Sequence, residues 1–501
     1  MGHRWRCLAQ LASRGPPHCL YATAVPLVRR TRSTRPRSSR PGAHARPPGR
    51  TKVTRCVIEL DALAPTLVPG LIRDATARAL LPLISTPLLG RCAAGRSLAR
   101  LHDVSDDQRT WTLHLAGDTS WSDGTPVIAQ DCRETLEPCL TSPAKRPQGW
   151  LVADAIESVK AHALPGQASQ LTFHLRRPIH RFAAWLASEA FAIMPPSIRR
   201  GGASTARLES SGAFEFAGSL SDGRGYAFKR RTTMTEPAIA LPETVIAVVT
   251  GHPDESTSAF DLAQMDLTCP TLHSPRRIEA FSAHARGRQH ALRLMGFLLS
   301  KQDMQAAARR AIEKHGGFAP GFPLRWCTSF VTPWRAYASP TPDAGTGGVA
   351  FIESLSFADF APNDQVVKAL ASALGARVLR PRKYPEFMTD IRKGAFDCAY
   401  VLTMAPIDDP TAFLRMFAPR APLARFVPEA ASDLLQGVIT AADAAATSEE
   451  SCCILDEFES DNGLGEHVVP VTRTDALYLS RYPKIGYCPM GRLGIDLQGA
   501  A

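Results

Sequence analysis

Acidic side chains are missing from the first 58 residues of this 501-residue chain. Residues 1–55 hold twelve Arg and one Lys, which account for more than the whole net charge of +11 and leave −2 for the remainder. The body is therefore close to neutral and offers no broad field for a polyanion, so nucleic acid is not an expected partner. In the basic segment, Arg29, Arg30, Arg32, Arg35, Arg37 and Arg40 alternate with Ser, Thr and Pro. Like charges repel there and no apolar face can be buried. Residues 1–50 are expected to be a disordered tail or a targeting segment. Arg4 and Arg6 suit the start of an export signal, but the apolar stretch Cys7–Ser13 is short and Cys19–Val28 is broken by Pro26. Neither makes a convincing signal core.

Long apolar runs are also missing. None reaches the roughly 18 residues of a membrane-spanning helix. The twelve cysteines include no Cys-x-x-Cys pair, which counts against a zinc knuckle. They read as buried free thiols of a reducing compartment. The adjacent Cys452-Cys453 read as helix packing, since a bridge between neighbours strains the backbone. Catalytic signatures are absent too: no Gly-x-Ser-x-Gly, no His-Glu-x-x-His, no phosphate loop. Gly345-Thr346-Gly347-Gly348 precedes a strand, whereas a dinucleotide fingerprint follows one, so it reads as a linker. No catalytic residue, metal site or cofactor is expected, and binding is favoured over catalysis.

What is present is alternation. Trp111–Leu115, Leu171–Leu175 and Val245–Val249 have the pattern of strands. Ala213–Phe216 and Tyr226–Phe228 flank Ser221-Asp222-Gly223 and predict a hairpin. From 348 to 402 the pattern is strand (Gly348–Ile352), helix capped by Asn363 and closed by Gly375, short strand at Val378-Leu379, helix closed by Gly394, strand Phe396–Leu402. That order implies parallel pairing with right-handed crossovers. With 501 residues, two or three packed units are expected.

Residues 101–131 carry a more particular signature, in which the strand Thr110–Leu115 is followed by Trp121-Ser122-Asp123-Gly124-Thr125-Pro126 and then Ala129-Gln130-Asp131. Asp123-Gly124 supplies a tight turn, Pro126 fixes its exit, and Asp131 can cap a helix. Ala155–Val159, Phe182–Pro195, Gly394-Ala395-Phe396-Asp397, Asp409-Pro410 with Phe413-Leu414, and Val468–Val471 follow in order. Ser211–Phe214 is a degraded counterpart of a Gly-Thr-Gly-Pro-Tyr type run, and Arg309–Ile312 hints at a further helix. Together these segments resemble the bacterial extracellular solute-binding proteins of family 5, the peptide, dipeptide and nickel class, across about residues 56–490.

The resemblance implies an α/β, two-lobed periplasmic-binding-protein-like fold (type II, cluster C) with an extra inserted domain. It would place 51–80, 195–265 and 468–501 in lobe I, 81–194 in the insertion and 266–467 in lobe II. The implied function is the substrate-binding component of an ABC-type importer, a monomer that grips a peptide or peptide-like small molecule between its lobes and meets permease subunits at a membrane. In peptide-binding relatives an Asp after an aromatic-x-Ala pairs with the ligand amine; here that position falls on Pro406. Asp408 is the substitute candidate, with the alternative that Asp408 and Asp409 only cap the helix that follows. Tyr400, Trp326, Trp334 and Phe214 complete the candidate ligand-binding set, although Tyr400 also suits a core. Two placements stay open: the cell envelope, as the resemblance implies, and the cytoplasm, where the fold would serve as a carrier, sensor or enzyme, as the thiols imply.

Overall fold

The computed structural model describes residues 54–495 except 91–95, 165–166, 202–207, 233–239, 301–307, 309–323, 328, 335–351, 360–362, 462–463 and 465–467. The expected tail, the linker at 345–348, the helix hinted at 309–312 and most of the strand expected at 348–352 lie outside the described residues. Among those described, no helix is long and apolar enough to cross a membrane.

Three sheets organise the chain. The first has the order Arg55–Leu60, Thr244–Val249, Gly225–Arg230, Phe214–Ser219, with the first pair parallel and the rest antiparallel. The second is antiparallel, ordered Ala99–Val104, Thr110–Leu115, Gln167–Leu175, Ile156–Leu164. The third has six strands, ordered Leu324–Trp326, Val468–Leu479, Gly287–Ser300, Cys398–Met404, Ser354–Ala358, Val378–Arg382. This is the mixed α/β architecture expected.

Local signals explain much of it. Asp123 accepts from the Thr125 amide at 2.9 Å and its hydroxyl at 2.7 Å, and Gly124 takes φ +90°, a conformation open to glycine. Asp131 is the third residue of its helix, not the cap. Its Oδ2 accepts from the Ile128 amide at 3.1 Å and the Trp121 indole at 3.3 Å, which ties the turn to the helix start. The hairpin about Asp222-Gly223 forms as expected.

The unit ending at Met404 has the expected parallel order, Val378–Arg382 beside Ser354–Ala358 beside Cys398–Met404. Its first strand begins at Ser354, beyond the expected Ile352. Ser354 can be buried because its hydroxyl donates to Asp397 at 2.9 Å. Asn363 stands inside its helix and donates to the Ala358 carbonyl at 3.0 Å rather than capping. Gly375 and Gly394, at φ +60° and +65°, end the helices Asn363–Leu374 and Tyr384–Lys393.

The segment after Asp266 does not pass directly to the third sheet. Leu267 bridges Ile58, and the helix Pro275–Ala283 carries the buried Arg277, which pairs with the buried Glu59 of the first sheet at 2.9 Å. Glu59 also accepts from Thr250 at 2.7 Å and the Cys269 amide at 2.8 Å. Val468–Leu479 runs along Gly287–Ser300 in the third sheet, and only the next residue, Ser480, bridges Leu267.

Removing one partner of a desolvated ion pair strands the other charge. Arg277→Met is expected to lower stability by about 3–5 kcal/mol, read as a lowered urea midpoint. Of the described cysteines, Cys453 is exposed, Cys488 half-buried and the other seven buried, all with free thiols. Burial pushes the Cys398 thiol up to about 12. A thiol reagent applied to the native protein is expected to modify Cys453 first and Cys488 more slowly, and to reach the seven only on unfolding. Prompt labelling of Cys56 or Cys327 would contradict this packing.

Candidate functional site

Two joints connect the third sheet's body to the others. The joint with the second sheet is a desolvated ion network. Arg177 reaches Asp154 at 2.6 Å and Asp443 at 2.8 Å, Arg181 reaches Asp409 at 2.9 Å, and Arg415 reaches Asp154 at 2.7 Å and also pairs with Asp443. Arg181 further donates to the Ala445 and Ala442 carbonyls at 2.8 and 3.0 Å. Burial pushes the Asp409 carboxyl up, but the Arg181 guanidinium, the Thr411 hydroxyl and the Arg415 guanidinium together outweigh it, and the net shift is downward. The apolar cores of the two bodies are continuous here. This joint is packed and paired.

The joint with the first sheet is different. The helix Ala75–Ile84 presents Arg78, whose Nη1 donates to the Ala405 carbonyl at 2.8 Å, just past the end of Cys398–Met404. Arg78 also pairs with the buried Glu189, which accepts from Gln148 at 2.9 Å. Around them polar atoms stay without protein partners: Asp74 Oδ2, Arg78 Nε and Glu189 Oε2. Such atoms are costly when desolvated. Asp74 caps the helix through its other oxygen, taking the Ala77 amide at 2.8 Å. Asp61 accepts from Thr76.

Burial pushes both carboxyls up, and the charge of Asp61 adds to the effect on Asp74. Tyr384, from the opposite side, stays half-exposed; partial burial and then the Asp74 charge push its phenol up. Between the bodies lies a hollow of about 30 Å³, walled by Asp61, Thr76, Cys269, Leu292, Met404 and Tyr487 among others. It has room for about one water.

The residues singled out from the sequence fall in several places. Asp408 pairs with Arg293 at 2.9 Å and accepts from the Trp334 indole at 3.2 Å, and Arg293 lies 4.9 Å over the Trp334 ring. Asp408 and Trp334 thus meet, but the carboxylate is already matched by a cation. Asp409 does not cap the helix Ala412–Arg415, whose start has no side-chain cap, and instead accepts from the Thr411 amide at 2.9 Å in the turn before it. Tyr400 is fully buried with its hydroxyl 2.7 Å from that of Thr472, and Phe214 is fully buried in the first body. As placed, both carry core packing and wall no pocket. Trp326 is half-buried beside the core under the third sheet. Pro406 is buried next to Ala405.

Asp61, Asp74, Arg78 and Glu189 were not singled out. The available signal was Asp74 before an apolar helical run that carries an Arg on its buried side.

The fold is that of two-lobed periplasmic binding proteins. The family description "Bacterial extracellular solute-binding proteins, family 5 Middle" matches residues 94–281. The periplasmic murein peptide-binding protein MppA of Escherichia coli K12 is 28% identical over 152 residues, which is 28% of this chain and 26% of that protein. The matched stretch therefore spans about a quarter of that relative's length. The crystallised E. coli MppA superposes with a TM-score of 0.67 at 16% identity, over 88% of this chain and 96% of that one. DppA from Helicobacter pylori, in complex with peptide STSA, gives 0.69 at 16% over the same shares.

Asp61 and Asp74 both have raised values in the folded protein. Their raised values mean that the folded protein takes up protons before the unfolded chain does. As pH falls toward the ordinary carboxylate value of 3.8, these two groups add stability to the folded protein. Calorimetry across that range, repeated on Asp61→Asn/Asp74→Asn, is expected to show the pH dependence flatten in the double variant.

Proposed function

We propose that this protein is the substrate-binding component of an ABC-type importer and takes a peptide or peptide-like molecule with a free amine between its first and third bodies. The observation that carries the reading is the desolvated, incompletely paired Asp61–Asp74–Arg78 group at the one joint bridged by a single guanidinium. The ammonium would meet Asp74 and Asp61. A backbone or carboxylate group of the guest would take over Arg78 from the Ala405 carbonyl. Asp408, held by Arg293, would then border the site rather than receive the amine. The family match and the peptide-binding names of its structural neighbours support a guest of this class. Binding without chemistry, action as a monomer, residence in the cell envelope and docking on permease subunits belong to the same reading.

A second reading has one observation in its favour. The nine described cysteines form no bridge, and seven are buried, which suits a reducing compartment and a cytoplasmic carrier. Cell fractionation with thiol labelling separates the two: a wholly cytoplasmic pool would remove the importer and leave the binding site in place.

The binding claim is tested by thermal shift with a murein tripeptide and its N-acetylated form, since a guest that prefers the folded state raises the melting temperature. The free amine is expected to stabilise and the acetylated form not. Asp74→Asn is expected to weaken binding by about 1.5–3 kcal/mol, the contribution of a hydrogen bond to a charged group. Unchanged affinity in Asp74→Asn would remove that residue from the site.

A further inference from the structure

The outer face of the second sheet carries two imidazoles that the site proposed above does not use. Along Thr110–Leu115 burial alternates, with Trp111, Leu113 and Leu115 in the core and Thr110, Thr112 and His114 on the other face. The neighbouring strand, Ala99–Val104, lies at the edge of the sheet and is mostly exposed. Its ladder is irregular. Leu101 pairs with Leu113 and Asp103 with Thr112, so His102 between them has no partner of its own. An unbroken ladder would set His102 opposite Thr112. The bulge gives that place to Asp103 and re-aims the side chain before it. The rings of His102 and His114 lie stacked, with centroids 3.9 Å apart and planes 15° from parallel.

The pair is open to a ligand. His102 is exposed and His114 half-buried. Among the described residues neither imidazole has a hydrogen bond or an ion pair. A neutral imidazole offers a nitrogen lone pair, which suits nickel, copper and zinc. Two nitrogens bound side by side to one such ion, at bonds of about 2.0–2.1 Å, stand roughly 3 Å apart. The spacing of the rings is close to what one shared ion requires, and the backbone already holds both strands, so little ordering remains to be done.

We propose that His102 and His114 form a metal site for one divalent ion of the late first-row transition series. Each ring gives one nitrogen, reached by rotation of side chains that face solvent and without a shift of the backbone. Among the described residues no group of three His, Cys, Asp or Glu side chains could hold a metal ion, so water completes the shell. Arg100 stands opposite His114 in the ladder, and its charge opposes a dication. Affinity therefore comes from the two nitrogen bonds, and a hard ion that prefers oxygen, as Mg²⁺ does, is not held. Neither histidine borders the hollow between the first and third bodies, so this site stands apart from the peptide site.

The test reads both side chains directly in the full chain, by diethylpyrocarbonate modification mapped by mass spectrometry at increasing Ni²⁺. His102 and His114 are expected to become protected together, at one Ni²⁺ concentration, while the same concentrations of Mg²⁺ leave both reactive. In His114→Gln the Ni²⁺ needed to protect His102 is expected to rise by about tenfold or more, because two linked ligands hold one ion far better than either alone. In His102→Gln the Ni²⁺ needed to protect His114 is expected to rise likewise. His102 is exposed on an edge strand, so its replacement leaves the core in place and this second variant decides the matter even where the first lowers stability. Full reactivity of both histidines in Ni²⁺, protection of one that persists unchanged when the other is replaced, or equal protection by Mg²⁺ would overturn the proposal.

Discussion

Two long antiparallel strands hold this molecule in register. Gly287–Ser300 and Val468–Leu479 pair through most of their lengths, and every residue of the second is buried. They form the middle of the third sheet at one end and reach the first body at the other, where Ser480 bridges Leu267 and Leu267 bridges Ile58. A β-ladder this long transmits bending but resists sliding, because a one-residue slip would turn every side chain to the wrong face. The two irregularities, at Pro470/Thr472 and Arg473/Asp475, fall within the crossing and locally increase twist.

The electrostatics of the two joints differ in a way that assigns them different tasks. At the joint between second and third bodies, three arginines and three aspartates are taken from water and matched to one another. Opening it would expose a continuous apolar core and unpair those charges together. At the joint between first and third bodies, a single guanidinium crosses to a single carbonyl, with orphaned atoms of Asp74, Arg78 and Glu189 close by. This joint also has apolar contact, since Leu402 and Met404 pack against the core of the first body.

Local grammar was readable in the chain, and long-range pairing was not. Asp123-Gly124, Gly375, Gly394 and the alternation of Trp111–Leu115 act within a few residues, so spacing alone locates the turns, helix ends and strands they build. The start of Ser354–Ala358 was misplaced because two buried serines hide a largely buried strand from a hydrophobic pattern. Asp408 looked available because nothing near it in sequence is basic; Arg293, its partner, is 115 positions away. Arg78 and the Ala405 carbonyl are 327 positions apart, and Glu59 and Arg277 are 218 apart. Tyr400 could not be separated from a pocket residue by sequence, since an aromatic ring on an alternating strand suits a core and a binding wall equally.

The central claim is that the first and third bodies close on a guest through Asp74 and Arg78. Arg73 and Glu386 are exposed and stand beside Asp74 and Tyr384, so a donor–acceptor fluorophore pair placed there by noncanonical amino acids reports the gap directly. Single-molecule transfer efficiency should rise to one narrow high value with saturating murein tripeptide and stay broad with its N-acetylated form. A distance that stays the same while the peptide binds would contradict closure about this site.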